Sequence, residues 1–552
     1  MRFITILLLI IVFQGSFFAQ WNSNTTANTL VSSALKSQGN IHSVTDDKGG
    51  IIMSWDDNRN SSTTSGDIFV QRVSASGNVK WGANGLVVCD NASFQGSSNI
   101  IDAGNGSAII TWEDNRAGNY DIYAQKIDSS GNVLWTINGV AICSKTTNQK
   151  NPKIVSDNAS GAIIVWEDSV NSYWDVYVQK INSSGVTQWT SGGVSICNTV
   201  LAQINPKIDI DGLGGAIITW QDKRNGTDYD VYAQRINNSG SVVWTANGLL
   251  VCNAVNTQSN PRIEPDGTNG AIIAWVDKRN GIDNNIYAQR INSSGVTQWT
   301  NNGLLVCGST NNQSAIDLKY LGSTGALVTW KDDRAGTGSP AIYTQLVSLA
   351  GVNQLTANGL LISNSLKSIN PNTVEDGLGG AIVAWQDSLA VGWNITSQRL
   401  NASGVIQWQV GGVVVSDATN DQVNVSHISD NNGGAIYVWE DYRNTTDWNI
   451  YAHHLFYTGT SVVGINEYFK STGANSIVYP NPVIEVSQIK LDSKADVLMI
   501  YDEFGKLVYI KNDINSESIY INNADFNSGI YFYHISLKNK SQQLNGKFII
   551  TK

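Results

Sequence analysis

Apolar residues run through this chain in short bursts broken by Asn, Ser, Gly and Asp, and the bursts recur. Residues 261–307 show the unit: PRIEPDGTNG, then AIIAWVDKRNGIDNN, then IYAQRINSSGVTQWTNNG, then LLVC. Ala271 to Trp275 is continuously apolar, as in a strand covered on both faces, whereas Ile286, Ala288 and Arg290 alternate with Tyr287 and Gln289. The turn signals Asp-Gly-Thr-Asn-Gly, Lys-Arg-Asn-Gly-Ile-Asp and Asn-Ser-Ser-Gly separate the runs, which predicts four antiparallel strands per unit. Sheets of this kind must stack face to face to cover themselves.

Trp-x-Asp marks one point of every unit, at Trp55, Trp112, Trp166, Trp220, Trp275, Trp330, Trp385 and Trp439, with steps of 57, 54, 54, 55, 55, 55 and 54 residues. Four strands at such a period predict a propeller or a solenoid. The ends of the array favour closure. The last unit has Ala435 to Trp439 and Asn449 to Phe456 but nothing like LLVC after them, while Trp21 to Ser32 matches that missing portion. An N-terminal strand that completes the last unit removes the exposed sheet edges, so the expected fold is all-β: an eight-bladed β-propeller over residues 20–463.

A second tryptophan recurs at Trp21, Trp81, Trp135, Trp189, Trp244, Trp299 and Trp408, with Leu355 in the sixth register. Recurrence at almost every unit points to packing between sheets. The Asp two residues past each anchor, from Asp57 to Asp441, is expected to bond local backbone N–H groups and to pair with Arg59, Arg116, Arg224, Arg279, Arg334 and Arg443. The third and seventh units lack that Arg. Cys89, Cys143, Cys197, Cys252 and Cys307 also sit at one repeat position, where successive sheets, about 10 Å apart, are too far apart to bridge. They read as buried thiols, and Ser363 and Ser416 replace them in later units.

Composition narrows the function. Charged residues are 14% of the chain and the formal net charge is -10, which disfavours nucleic acid and anionic lipid as partners. Residues 1–19 carry Arg2, an apolar run from Ile4 to Phe13 and Ala19, the pattern of a secretory signal peptide cut after Ala19, and no later segment is long and apolar enough to span a bilayer.

Repeat character stops near Val463, and residues 464–474 read as a linker before a second domain at 475–552, expected to be a small Ig-like β-sandwich of about seven short strands. Tyr479-Pro480-Asn481-Pro482, Asp502 with Gly505-Lys506, Gly529-Ile530-Tyr531 and the terminal Lys547-Phe548-Ile549-Ile550 with Lys552 occur there in order. Together they resemble the type A C-terminal sorting domain of the type IX secretion system of Bacteroidetes. That resemblance implies Tyr479, Pro480, Asn481, Pro482, Asp502, Gly505, Lys506, Gly529 and Tyr531 as sorting-motif residues. It also implies the type IX translocon as partner, and a secreted or cell-surface location.

Candidate chemistry is sparse. In five units an aromatic immediately precedes the Asp or Asn that opens the third strand, Tyr120, Trp174, Tyr229, Trp393 and Trp448, on the rim that also carries the crossovers between units. Such a ring either stacks on a glycan or protein ligand or covers neighbouring hairpins. The five histidines lack metal spacing, and adjacent His453 and His454 point to opposite faces of a strand. Asp56, Glu113, Glu167 and Glu440 follow the anchor Trp and read as strand-surface charges rather than as a glycosidase acid and base. The turns at 375–380 and 430–434 lack the carboxylate density of a calcium site, so no metal or cofactor is expected. The favoured function is therefore a non-enzymatic binding or adhesion propeller for glycan or protein. The alternatives are a secreted carbohydrate-active enzyme, which needs a central cluster of non-repeated carboxylates, or a structural surface protein.

Overall fold

The computed structural model describes residues 21–61, 66–364, 367–388, 392–461, 478–479, 481–502, 506–538 and 543–550. The expected signal peptide, the linker, Pro480 and Gly505 lie outside them. Among the described residues the repeats form eight four-stranded antiparallel sheets, and helix is confined to three single 3-10 turns. The first sheet sets the pattern: Gln38–Thr45, Ile51–Asp57, Asp67–Val73 and Leu86–Cys89, joined in that order.

The eighth sheet takes Gln422–Ser429, Ala435–Asp441 and Asn449–Leu455 from its own unit and Thr29–Ser32 from the N-terminus, with Thr29 opposite Ala452 and Leu30 opposite Tyr451. The first strands pack side by side in sequence, from Gln38–Thr45 through Gln95–Asp102, Gln149–Ser156, Gln203–Ile210, Gln258–Pro265, Gln313–Tyr320 and Ser368–Glu375 to Gln422–Ser429, which returns to the first. They enclose a central channel.

The second strands carry the core. All seven residues of Ala271–Asp277 are buried, and the anchor tryptophans are the largest fully buried side chains. Six anchor indoles stack on the aromatic opposite them, as Trp275 does on Tyr287 at 6.4 Å. Its Nε1–H donates to the Asp two residues on, Trp275 to Asp277 at 2.8 Å. That Asp accepts the backbone N–H and guanidinium of the Arg, 2.9 Å and 2.6 Å from Arg279, whose plane lies 3.6 Å from the Tyr287 ring centre.

In the third sheet Lys145 and Thr147 occupy Asp168 instead, at 2.9 and 2.6 Å, and the Trp166 indole nitrogen has no acceptor. In the seventh, Ser368 donates to Asp387.

Neighbouring sheets are joined twice. The second tryptophan of a unit pins the next one: Trp244 Nε1–H donates to Ser293 O at 3.1 Å and its ring packs on Gly295 at φ +80°, where a side chain would collide with the indole. Trp21 does the same to Ala75 O at 2.8 Å across the closure, so seven joints carry a pin. Leu355 packs on Gly404 at the joint between the sixth and seventh sheets.

The second connection starts at a bulge in every first strand. The bulge residue is left-handed, at Asn40, Ser97, Asn151, Asn205, Asn260, Ala315, Asn370 and Asn424. Asn tolerates that conformation better than most side chains, which explains its recurrence. In most units the bulge N–H turns toward the preceding sheet. Glu440 accepts from Asn40 at 2.7 Å, Asp56 from Ser97 at 2.8 Å, Glu113 from Asn151 at 2.8 Å and Glu167 from Asn205 at 2.7 Å. These carboxylates are therefore not surface charges: Glu113, Glu167 and Glu440 are buried and bind sheet to sheet.

All five thiols are free and buried, and burial pushes them up to about 11 or 12.

The described C-terminal residues form six strands, Val478–Tyr479, Val486–Tyr501, Leu507–Lys511, Ser516–Asn522, Gly529–Leu537 and Gln543–Ile550. The count falls below seven because two stretches that read as separate strands in sequence are one continuous strand of 16 residues. It pairs with Ser516–Asn522 along its first part and with Leu507–Lys511 and Gly529–Leu537 along its second. Phe526, Tyr531 and Phe548 centre its core.

Candidate binding channel

Two residues past each bulge, one side chain per first strand is half-buried at the channel wall: His42, Asn99, Lys153, Lys207, Arg262, Asp317, Asn372 and Ser426. The surrounding framework repeats almost identically, yet this position changes from sheet to sheet. Two residues further on, a second level reads Val44, Ile101, Val155, Asp209, Glu264, Lys319, Val374 and Ile428. Charge is confined to one side of the channel. Lys153, Lys207 and Arg262 stand on three consecutive strands, with Asp317 next to them and Asp209, Glu264 and Lys319 beneath.

The opposite side is neutral at these two levels, with the clamp carboxylates Asp56 and Glu440 behind it. Asn40, His42, Asn372, Asn424, Ser426 and Glu440 line a cavity of about 460 Å³ there, within the roughly 300–1,000 Å³ usual for small-ligand sites.

The charged residues are tied down. Glu264 accepts from Lys319 at 3.1 Å and from Tyr320 N at 3.2 Å. Asp317 accepts from Thr373 N of the next sheet at 2.7 Å and lies 4.0 Å from Arg262. Lys207 Nζ donates to Asn205 Oδ1 at 2.9 Å.

Burial raises Asp209 to about 7, helped by Glu264. Burial likewise raises Asp317 to about 6 against the pull of Arg262. Burial lowers Lys207 well below the ordinary lysine value, and its neighbours Arg262 and Lys153 lower it further. Burial also lowers His42 to about 4, with Lys153 adding to it.

A pH dependence of stability follows. Asp209 titrates near 7 in the fold and near 4 when unfolded, so between those values the native state binds more protons and stability falls as pH rises. Asp209→Asn should therefore stabilise the protein at pH 8 relative to pH 4.5. The effect should be about 1 kcal/mol, below the full linkage value because the carboxyl reaches channel water. Chemical denaturation at the two pH values reads this directly, and an equal effect at both would contradict it.

The rim aromatics take a different place. Tyr120, Trp174, Tyr229, Trp393 and Trp448 are half-buried. The backbone carbonyls of Tyr120, Trp174, Tyr229 and Trp448 accept from the Gln that opens the next first strand, at 2.7–2.9 Å. Tyr120 packs on Phe94 at 5.9 Å with Lys150 over its ring at 4.0 Å, Tyr229 has Lys223 over it at 5.7 Å, and Trp448 packs on Tyr442 at 5.0 Å.

The histidine pair behaves as strand alternation dictates. His454 meets Asp430 at 3.0 Å, where other sheets use Arg or Lys, and burial pushes His453 down to about 3. The turn carboxylates are occupied: Asp376 accepts from Leu378 N, Gly380 N and Arg399. Among the described residues no three His, Cys, Asp or Glu side chains group as a metal site.

In the C-terminal domain the motif residues hold strands together. Asn481 Oδ1 accepts from Ile549 N at 2.8 Å, Asp502 from Lys506 N at 2.9 Å, and Tyr531 OH donates to Asn527 O at 3.0 Å.

Sequence reasoning missed the channel wall. The available signal was a variable, charged position inside an otherwise constant strand.

Residues 477–551 match the secretion system C-terminal sorting domain family. The chain is thus a cargo of the type IX secretion system, addressed through this tail to the secretion machinery and to export at the outer surface. No helix among the described residues is long and apolar enough to cross a membrane.

No curated protein matches the chain. Similar solved structures include a mutant α-L-arabinofuranosidase from Fusarium graminearum at 10% identity, covering 56% of this chain and 93% of that one, with a TM-score of 0.34. An endo-arabinase from Bacteroides thetaiotaomicron has 14% identity, 58% and 95% coverage and a TM-score of 0.29. A protein of unknown function from Dyadobacter fermentans has 8% identity, 68% and 97% coverage and a TM-score of 0.36. These values tie the chain to no activity.

Proposed function

We propose that this is a Bacteroidetes surface or secreted binding protein: a signal peptide at 1–19, an eight-bladed β-propeller at 20–463 closed by its N-terminal strand, and an Ig-like sorting domain. The propeller takes a glycan or protein ligand at its channel mouth, with Tyr120, Trp174, Tyr229, Trp393 and Trp448 as further contacts on the rim. One observation carries this reading. The inner wall is the only repeat position described above at which polar and charged chemistry differs in nearly every sheet, and a recognition site, unlike a scaffold, needs such asymmetry.

The test is a glycan-array and calorimetric screen of the mature full chain beside Asn372→Ala, Trp393→Ala and Trp448→Ala. Saturable binding weakened about ten-fold or more by Asn372→Ala at unchanged melting temperature is expected for a channel ligand. Loss in the tryptophan variants alone would move the site to the rim. Saturable binding unaffected by any variant would end both placements, and no binding would favour a structural role.

The enzymatic reading is favoured by a separate observation. Asp209, raised to about 7 by burial, stands beside the Lys319-paired Glu264, and two neighbouring carboxyls of which one is raised in this way suit acid and base roles. Release of reducing ends from a polysaccharide, abolished by Glu264→Gln and by Asp209→Asn, would establish it.

A further inference from the structure

We infer that Lys153, Lys207 and Arg262 form a subsite for the anionic groups of an acidic glycan, whose hydroxyls lie on the neutral wall across the channel. The inference rests on the channel being the binding site and names its ligand class.

The three cations occupy equivalent positions on the first strands of the third, fourth and fifth sheets. The nearby carboxylates are shared with backbone N–H groups or with Lys319, and among the described residues Asp317 alone forms an ion pair with one of the three cations, Arg262. Glu113 and Glu167 hold the bulge N–H groups of Asn151 and Asn205. Glu264 is bridged by Lys319, Asp317 holds Thr373 N and lies 4.0 Å from Arg262, and burial leaves Asp209 only partly ionised at pH 7.

Two lysine side chains and a guanidinium therefore stand together on one wall of the channel in a protein whose net charge is -10. Carboxylate and sulfate are the groups that such donors take by charge-assisted hydrogen bonds. Opposite them, Asn40, Asn372 and Asn424 offer amides and Ser426 a hydroxyl, a donor and acceptor set suited to sugar hydroxyls. One face reads charge and the other reads hydroxyls, which is the combined signature of an acidic sugar chain.

Proton linkage gives an independent signature. Lys207 is faced by Lys153 and Arg262 from the adjacent first strands, by Glu167 from the second strand behind, and by Asp209 on its own strand. Burial and the two cations hold its amine low. An anion docked there favours the protonated amine, so binding is linked to proton uptake and tightens as pH falls.

The experiment is calorimetry on the mature full chain with four probes: an oligogalacturonate, a sulfated galactan oligosaccharide, an uncharged galactan oligosaccharide of equal length, and free galacturonate. Each is run at two salt concentrations and in two buffers of different ionisation enthalpy. Lys207→Met and Arg262→Gln are measured beside Lys48→Gln on an outer turn.

An acidic oligosaccharide should bind at least ten-fold more tightly than the uncharged one, lose that margin with salt, and take up a proton. Which acidic probe binds identifies carboxylate or sulfate as the recognised group. Lys207→Met and Arg262→Gln should remove the margin and leave uncharged binding intact, while Lys48→Gln changes nothing. Equal binding of charged and uncharged oligosaccharides, or a margin that survives both variants, overturns the anionic subsite. Free galacturonate binding as tightly as the oligomer overturns the glycan chain. Failure of all four probes to bind overturns the channel reading itself.

Discussion

Trp275→Ala should destabilise the repeat domain by about 3–5 kcal/mol, among the largest effects of any single substitution in the ring. The ring is fully buried, stacks on Tyr287 and lies against Gly303, so its removal leaves a cavity that the surrounding sheets cannot fill. It also removes the indole donor from Asp277, although Arg279 still holds that carboxylate at two points.

The third sheet provides an internal control. Trp166 is equally buried, but its indole nitrogen has no acceptor. Trp166→Phe should therefore cost about 1 kcal/mol less than Trp275→Phe, the usual worth of one hydrogen bond. Denaturant titration followed by circular dichroism measures both, and equal costs for the two Phe variants would show that the indole bond contributes nothing.

Deleting residues 21–33 should have an effect of comparable size. The deletion removes the fourth strand of the eighth sheet and the Trp21 pin on Ala75. It also removes the Asn28 bond to Val415 O and the Thr26 and Ala27 carbonyls that accept from Arg443. Asn449–Leu455 becomes an open edge, the situation that drives edge-to-edge association. The truncated protein should melt at least about 10 °C lower, at roughly 2–4 °C per kcal/mol for a sizeable domain, and should oligomerise with rising concentration. Light scattering and calorimetry test this. A monomer with an unchanged melting temperature would mean that the closing strand is dispensable.

Much of this architecture is legible in sequence because it repeats. A tryptophan every 54 to 57 residues, followed at two residues by Asp, can only be a packing position, and the half-unit at Trp21 to Ser32 shows where the ring shuts. The channel wall is not legible in the same way. Lys153 or Asp317 looks like any polar residue of a half-exposed strand until eight strands converge and bring eight such positions together.

Glu113, Glu167 and Glu440 were obscured for a related reason. Their partners are backbone N–H groups exposed by a left-handed bulge one sheet away, and no local pattern around the carboxylate reports that turn. The recurring Asn at the bulge was the visible half of the clamp. In the C-terminal domain the motif order was readable, while the long strand Val486–Tyr501 reads as two strands because the polar residues within it resemble a turn.

A closed ring yields at its weakest joint, and here that joint has an address. Between the sixth and seventh sheets Leu355 replaces the pinning tryptophan. Lys331 stands where six other sheets carry an accepting carboxylate or amide, and it turns to Asp333 at 3.1 Å. Asp317 to Thr373 N and Ser368 N to Pro340 O bridge it. Thermal breathing should therefore part the circle there, far along the chain from either terminus. Backbone amide exchange will find its fastest protected sites along Ser368–Glu375 rather than at the N-terminal closure.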